Sequence, residues 1–186
     1  MSDGAPESIL RQAALRGDRK AFEQLVFLHE RGVFSLALRL TGNADDARDV
    51  MQGVFLRLHR KLDTVDPLRP LSPWLYAVTL NVCRGMGRSK ARSRLVPIAD
   101  FVDAADPYPG PERQLSGREQ ERQLQEALNE LPEKERAALL LREVEELSTA
   151  EVARLLGSSE TTVRSQISQA RLKLRKFFAR RKGGIR

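Results

Sequence analysis

The sequence predicts an all-α protein of two small helical domains joined by a flexible linker, the C-terminal one carrying a helix-turn-helix. Three observations lead there. Apolar residues recur at helical spacing in two separate stretches, with no convincing run of strands between them. A proline- and aspartate-rich segment divides the stretches. The charge is laid out in blocks: 32 Lys and Arg against 25 Asp and Glu give a net +7 over 186 residues, a length that fits one domain or two small ones.

The first stretch opens with Phe22, Leu25, Val26, His29, Val33, Leu36, Ala37 and Leu40, which predict an amphipathic helix over 19–40. Gly42 and Asn43 end it and begin a turn. Ala47, Val50, Met51, Val54, Phe55, Leu58 and Leu62 mark a second helix over 44–62, with Asp45 and Asp46 in the first turn, where the helix dipole favours anions. Gly53 in its interior should cost about 1 kcal/mol relative to Ala. Three prolines make 63–73 a loop. A third helix starts near Pro73 and carries Trp74, Leu75, Val78 and Val82 before turning basic.

Residues 95–116 read as the linker, with Pro97, Pro107, Pro109, Pro111 and Asp100, Asp103, Asp106. Helices resume at about Gly117, with Leu124, Ala127, Leu128 and Leu131 inward on one and Ala137, Leu140 and Leu141 inward on the next, over 133–143. The domains expected are therefore 1–94 and 117–186.

The most specific pattern is local. Ser148 with Glu151 is a capping box that fixes the start of a short helix. Val152, Ala153 and Leu156 face inward, and Gly157 stands where the chain must leave with positive φ. Ser158 is expected to cap the next helix, which packs through Val163, Ile167, Ala170 and Leu174. Ser159, Glu160, Thr161, Arg164, Ser165, Gln166, Ser168, Gln169 and Arg171 are left for other faces. This is the pattern of a helix-turn-helix whose second helix enters the major groove, although a plain helical hairpin would share its core spacing. Arg and Gln can read base edges, and Ser and Thr suit phosphates.

Charge agrees. No acid occurs between Pro67 and Ala99, where Arg69, Arg84, Arg88, Lys90, Arg92 and Arg94 fall, and none follows Glu160. Two basic blocks suit two contacts with one polyanion; two solvated helix faces are the alternative.

Other chemistry finds little support. One Cys and two His make a disulfide framework or a Cys/His zinc site poor readings. His29 lies on the apolar stripe and reads as a packed histidine; His59 and Cys83 read as surface and packing residues. No nucleophile–base set or Gly-rich phosphate loop can be assembled, so no enzyme and no cofactor are expected. No segment has the length and apolarity of a membrane span, and the N-terminus lacks a secretory pattern; a cytoplasmic protein without membrane insertion is expected.

Phe22–Leu62 followed by PWLYAVTLNVCRGMGRSKAR, and LNELPEKERAALLLREVEELSTAEVARLLGSSETTVRSQISQARLKLRKF after the linker, together resemble the ECF (extracytoplasmic-function) group of bacterial RNA polymerase sigma factors. The first block resembles sigma region two and the second region four.

The resemblance implies binding to core RNA polymerase, at the clamp helices of its largest subunit and the flap of the second-largest. It implies recognition of −10 and −35 promoter elements, support for promoter opening, and association with the nucleoid when in holoenzyme. Asp45, Asp46, Asp49 and Gln52 would contact the clamp helices. The 63–72 loop and Trp74, Asn81, Arg84, Arg88 and Lys90 would hold the melted non-template strand of the −10 element. Arg142, Ser159, Glu160, Thr161, Arg164, Ser165, Gln166, Ser168, Gln169 and Arg171 would meet the −35 duplex. Gln166 and Gln169 stand where relatives often carry basic residues, and Gly53 where an acid is common. The resemblance implies an anti-sigma factor as a further partner.

A linker of about 22 residues reaches about 75 Å when extended. A spacer of about 16 base pairs is roughly 55 Å long, so both elements could be contacted at once. Two rivals remain at this level. A stand-alone duplex-binding regulator would leave 19–94 unexplained. A nucleic-acid enzyme would need a catalytic cluster.

Overall fold

The computed structural model describes residues 6–92 and 111–183, with side chains described for 6–86 and 119–181. Among the described residues all regular structure is helical: α1 Glu7–Leu15, α2 Arg19–Thr41, α3 Ala44–Lys61, a 3₁₀ turn Leu62–Thr64, α4 Leu71–Arg92, α5 Pro111–Asn129, α6 Glu133–Glu143, α7 Thr149–Leu156 and α8 Glu160–Gly183. They form two compact units. The first is built on α1–α4 and the second on α5–α8, with residues 38–44 grouped with the second. No helix among the described residues is long and apolar enough to cross a membrane.

In the first unit, Leu25, Val33, Leu36 and Ala37 of α2 are fully buried, as are Ala47, Val50, Val54 and Leu58 of α3 and Leu71, Leu75 and Thr79 of α4. Thr79 enters the core because its hydroxyl donates to Leu75 O at 2.8 Å, leaving no orphan polar group. At Gly32 an added Cβ would lie 3.2 Å from the Tyr76 hydroxyl, so the Tyr76 side chain would have to give by a few tenths of an ångström to admit it. Gly42 ends α2 in the left-handed region, φ 71°.

The first unit departs from the sequence reading in two places. The third expected helix begins at Leu71 instead of Pro73, because the proline fits within the first turn, where its missing N–H is not needed. Helix α1 was not expected. Gly17, at φ 91°, closes it, and Asp18 then caps α2, its Oδ1 accepting from Lys20 N at 2.9 Å and Ala21 N at 3.2 Å.

The second unit packs α8 against α6 and α7 around Ala137, Leu141, Val152, Val163 and Ala170, all fully buried. Its first helix starts at Pro111, six residues before the expected Gly117, again with proline in the first turn. The rest of the expected linker, 95–110, lies outside the described residues.

Candidate nucleic-acid interface

The hairpin of α7 and α8 is fixed by local bonds at each joint. Ser148 Oγ accepts from Glu151 N at 3.3 Å and Glu151 Oε2 accepts from Ser148 N at 2.8 Å, so the capping box is complete. The Ser148 hydroxyl, donating to Glu151 Oε2 at 2.6 Å, and then the Ser148 N–H hold the Glu151 carboxyl below the usual carboxylate range. Gly157 ends α7 at φ 60°, ψ 44°, and Ser158 N donates back to Ala153 O at 2.9 Å.

That bond places Ser158 in the turn, and the cap of α8 passes to Ser159. Its Oγ accepts from Thr162 N at 3.1 Å. The expected cap at Ser158 is thus displaced by one residue.

Along α8, Val163, Ile167 and Ala170 face the core. Thr161, Ser165, Ser168 and Gln169 are exposed on the opposite side, and Arg164 and Arg171 lie seven residues apart on one flank. Gln166 does not join them. It is half-buried on the inner side, and its Oε1 is closed to solvent with no hydrogen-bond partner. Arg142 is exposed in the last turn of α6.

Four of the α8 cations are already paired. Arg164 Nη2 is 2.8 Å from Glu160 Oε2, and Arg171 Nη2 is 2.7 Å from Glu143 Oε1. Lys173 holds both oxygens of Glu135 at 2.7 and 2.9 Å, and Arg181 pairs with Glu126 while lying over the Phe177 ring. Exposed pairs of this kind are each worth about 0–1 kcal/mol, so a phosphate can displace the carboxylates of Glu160 and Glu143 at little cost.

In the first unit, Trp74, Asn81 and Arg84 fall on one stripe of α4, at i, i+7 and i+10. Asn81 is exposed and the other two are half-buried. Arg88 and Lys90 are in α4, but their side chains lie outside the described residues. On α3, Asp45, Asp49 and Gln52 form one exposed stripe, while Asp46 is set to its side and half-buried. Arg48 pairs with Asp45 at 2.6 Å. Leu56, 53% exposed, continues the stripe. It was passed over in the sequence, although it lies off the buried face made by Val50, Val54 and Leu58.

The 63–70 loop ahead of α4 is held from α1, which sequence reasoning missed. Arg11, 3% exposed, donates to Arg69 O at 2.7 Å, Asp66 O at 2.9 Å and Val65 O at 3.2 Å. Glu7 Oε1 accepts from Leu71 N at 3.0 Å and so caps α4. Glu7 Oε2 lies 3.2 Å from His29 Nε2, close enough for charge attraction but poorly aligned for a hydrogen bond. His29 Nδ1 is 3.4 Å from Ser72 Oγ. Burial lowers the His29 pKa from its ordinary 6.5, with Glu7 opposing the shift.

Comparisons with known proteins bear on both units. The family model described as sigma-70 region 2 matches residues 25–93, and that of sigma-70 region 4 matches 121–174. The ECF RNA polymerase sigma factor SigE of Mycolicibacterium smegmatis is 36% identical over 88% of the chain and 65% of its own length. RNA polymerase sigma factor NccH of Alcaligenes xylosoxydans xylosoxydans is 32% identical over 94% of the chain and 95% of its length. Among solved structures, CnrH in complex with the cytosolic domain of CnrY aligns with TM-score 0.68 and 28% identity, covering 93% of this chain and 97% of that one.

Proposed function

The chain belongs to the ECF group of RNA polymerase sigma factors, and from that premise we propose how its own residues divide the work. As a sigma factor it binds core RNA polymerase, directs it to promoters through −10 and −35 elements, and supports initiation. In our reading the chain carries no catalytic step itself and acts in the cytoplasm, at the nucleoid when in holoenzyme.

Residues 1–94 take the polymerase and the −10 element, 111–186 take the −35 element, and 95–110 tether them. On α8, Thr161, Ser165, Ser168 and Gln169 face the major groove while Arg164, Arg171 and Arg142 hold phosphates; Ser159 and Glu160 approach the backbone at the helix start. Gln166, on the inner side, supports the helix instead of reading a base. On α4, Trp74, Asn81, Arg84, Arg88 and Lys90 hold the separated strand, which needs cations for its phosphates and surfaces for its unstacked bases. Asp45, Asp46, Asp49 and Gln52, with Leu56, dock on the polymerase clamp helices. CnrH was solved with the cytosolic domain of CnrY, and by analogy an anti-sigma partner belongs to this reading.

The observation that carries the reading is the outer face of α8, free of core residues and flanked by two arginines in exchangeable ion pairs. Arg164→Ala and Arg171→Ala should each weaken −35 duplex binding and lower the salt slope by about 1. Duplex titration at several salt concentrations, with run-off transcription by reconstituted holoenzyme, measures both. Wild-type affinity and slope in both variants would remove α8 from the interface.

A further inference from the structure

We propose that Arg11 is a positioning residue for promoter opening: from α1 it holds the 63–70 loop in the shape that receives the separated −10 strand. This inference rests on the reading that the loop and α4 take that strand.

The geometry is specific to the loop. Arg11 is almost wholly buried, yet its guanidinium makes no short carboxylate pair; Glu7 is 3.8 Å away. Its donors go instead to three backbone carbonyls, of Val65, Asp66 and Arg69, and so span the whole turn. A guanidinium spreads its donors over separate nitrogens in a fixed fork, here Nη1 and Nη2, whereas the three donors of an ammonium radiate from one point and do not reproduce that spread. The loop is braced on its outer side as well. Asp66 Oδ1 accepts from Leu68 N at 3.0 Å, Asp66 O accepts from Arg69 N at 3.3 Å, and Arg69 Nε pairs with Asp66 Oδ2 at 3.1 Å. Glu7, one turn from Arg11, caps Leu71 where the loop enters α4.

All this bonding stabilises a turn that buries little of its own. At its tip Leu68 is 93% exposed. A proline-flanked turn clamped from inside, with an apolar side chain held out in solvent, is a pre-formed surface for an unstacked base. Pre-formation matters because apparent affinity falls with the fraction of molecules in the competent shape.

The test uses the full chain with core polymerase and, as probe, a single-stranded non-template oligonucleotide selected from a random pool by the wild-type holoenzyme. Arg11→Lys keeps the charge but loses the fork. If it lowers the competent fraction to about a tenth, strand affinity falls about tenfold. Affinity for core and for −35 duplex should stay at wild type, a split that a general loss of folding would not produce. Amide exchange at Leu68, Arg69 and Leu71 should rise while exchange in α3 stays unchanged.

Asp66→Ala loosens the same loop from its exposed side and should give the same selective loss in smaller measure, which keeps the test open if Arg11→Lys folds poorly. Wild-type strand affinity in either folded loop variant overturns the proposal. Trp74→Ala and Asn81→Ala separate it from its premise. If they also bind the strand normally, the −10 reading fails; if they lose binding while the loop variants keep it, only the positioning role fails.

Discussion

The two units stabilise their functional elements by opposite means. The first draws polar groups inside: Arg11 is 3% exposed, Thr79 is fully buried, and His29 sits between Glu7 and Ser72. The bonds that reach the loop and the start of α4 from Arg11, Glu7 and His29 join residues 43 to 64 positions apart, so the shape of the 63–70 loop is a tertiary product. The second unit's fully buried residues are apolar, with Arg136 and Gln166 half-buried at their edge; its helices α7 and α8 are set by caps between residues three positions apart, and the pairs of Arg164 and Arg171 stay at the surface. A loop has no intrinsic shape to offer a ligand and must be clamped. A helix brings its own shape and needs only a start point and a direction.

The contrast predicts unequal sensitivity to removing one arginine. Arg11→Met takes the donor from the buried Val65 carbonyl and the part-buried Arg69 carbonyl, while Asp66 O keeps Arg69 N, and should destabilise the first unit by about 2–3 kcal/mol. Arg171→Ala removes an exposed pair with Glu143 and should cost under about 1 kcal/mol. Trp74 is the chain's single tryptophan, so its fluorescence during urea unfolding follows the first unit alone, while far-UV circular dichroism includes the second. Equal losses would break the comparison.

Acidification should separate the units as well. His29 has a pKa lowered by burial, so the folded state resists a proton that the unfolded chain accepts. Its contribution is present above the ordinary value of 6.5 and is lost as pH falls through the lower folded value. Glu7, Ser72 and Arg11 face the ring, and the attraction of Glu7 for a protonated imidazole limits the loss without reversing it. Glu151 also has a lowered pKa, but as a carboxylate its contribution is lost only below the usual carboxylate range. The midpoint of the Trp74 transition should therefore begin to fall at milder acidity than that of the second unit, and His29→Gln should flatten the early fall. Coincident pH profiles would refute the assignment.

The same contrast explains what was legible in the sequence. The capping box, the Gly157 turn and the inward stripe of α8 were readable because each is a relation between near neighbours. The cap at Ser159 was missed by one position because either serine could supply the hydroxyl, and the choice turns on Ser158 N donating back to Ala153 O. Gln166 was grouped with exposed residues because polarity was taken for exposure; its register, four residues before the buried Ala170, points inward. Helix α1 and the burial of Arg11 were not readable at all. Nothing near residue 11 announces that carbonyls 54 to 58 positions away will receive it. Leu56 is the intermediate case: a leucine off the apolar stripe of its helix is a local signal, but only the fold shows it exposed.

Within the second unit, Ser148→Ala tests whether α7 depends on its cap. The substitution leaves Glu151 N without its acceptor and removes the hydroxyl that Glu151 Oε2 also engages at 2.6 Å. The expected cost is about 1 kcal/mol, read as a lower urea midpoint for circular dichroism with the Trp74 transition unmoved. A shift in both would mean that the units do not unfold independently.

The smallest effect expected is a gain, at Gly53. Glycine in a helix interior is less favourable than alanine by about 0.8–1 kcal/mol, because the unfolded chain has more freedom to lose. The deficit is recoverable only if a methyl group fits. At Gly53 an added Cβ would lie 3.4 Å from Arg57 Nη1 and 3.7 Å from Val82 Cγ1, both ordinary contacts, and the arginine end can shift. Gly53→Ala should thus stabilise the first unit by about 0.5–1 kcal/mol. Gly32 is the control on the neighbouring helix: its Cβ would meet the Tyr76 hydroxyl at 3.2 Å, so Gly32→Ala should recover less, or destabilise. The Trp74 urea transition compares the two. Gly53 also adjoins Gln52 on the helix proposed to dock on the polymerase clamp. A stabilised Gly53→Ala protein with wild-type affinity for core would indicate that the docking face tolerates a methyl there. The same gain in stability with weakened core binding would show that the partner's surface approaches the α3 backbone closely enough to require glycine.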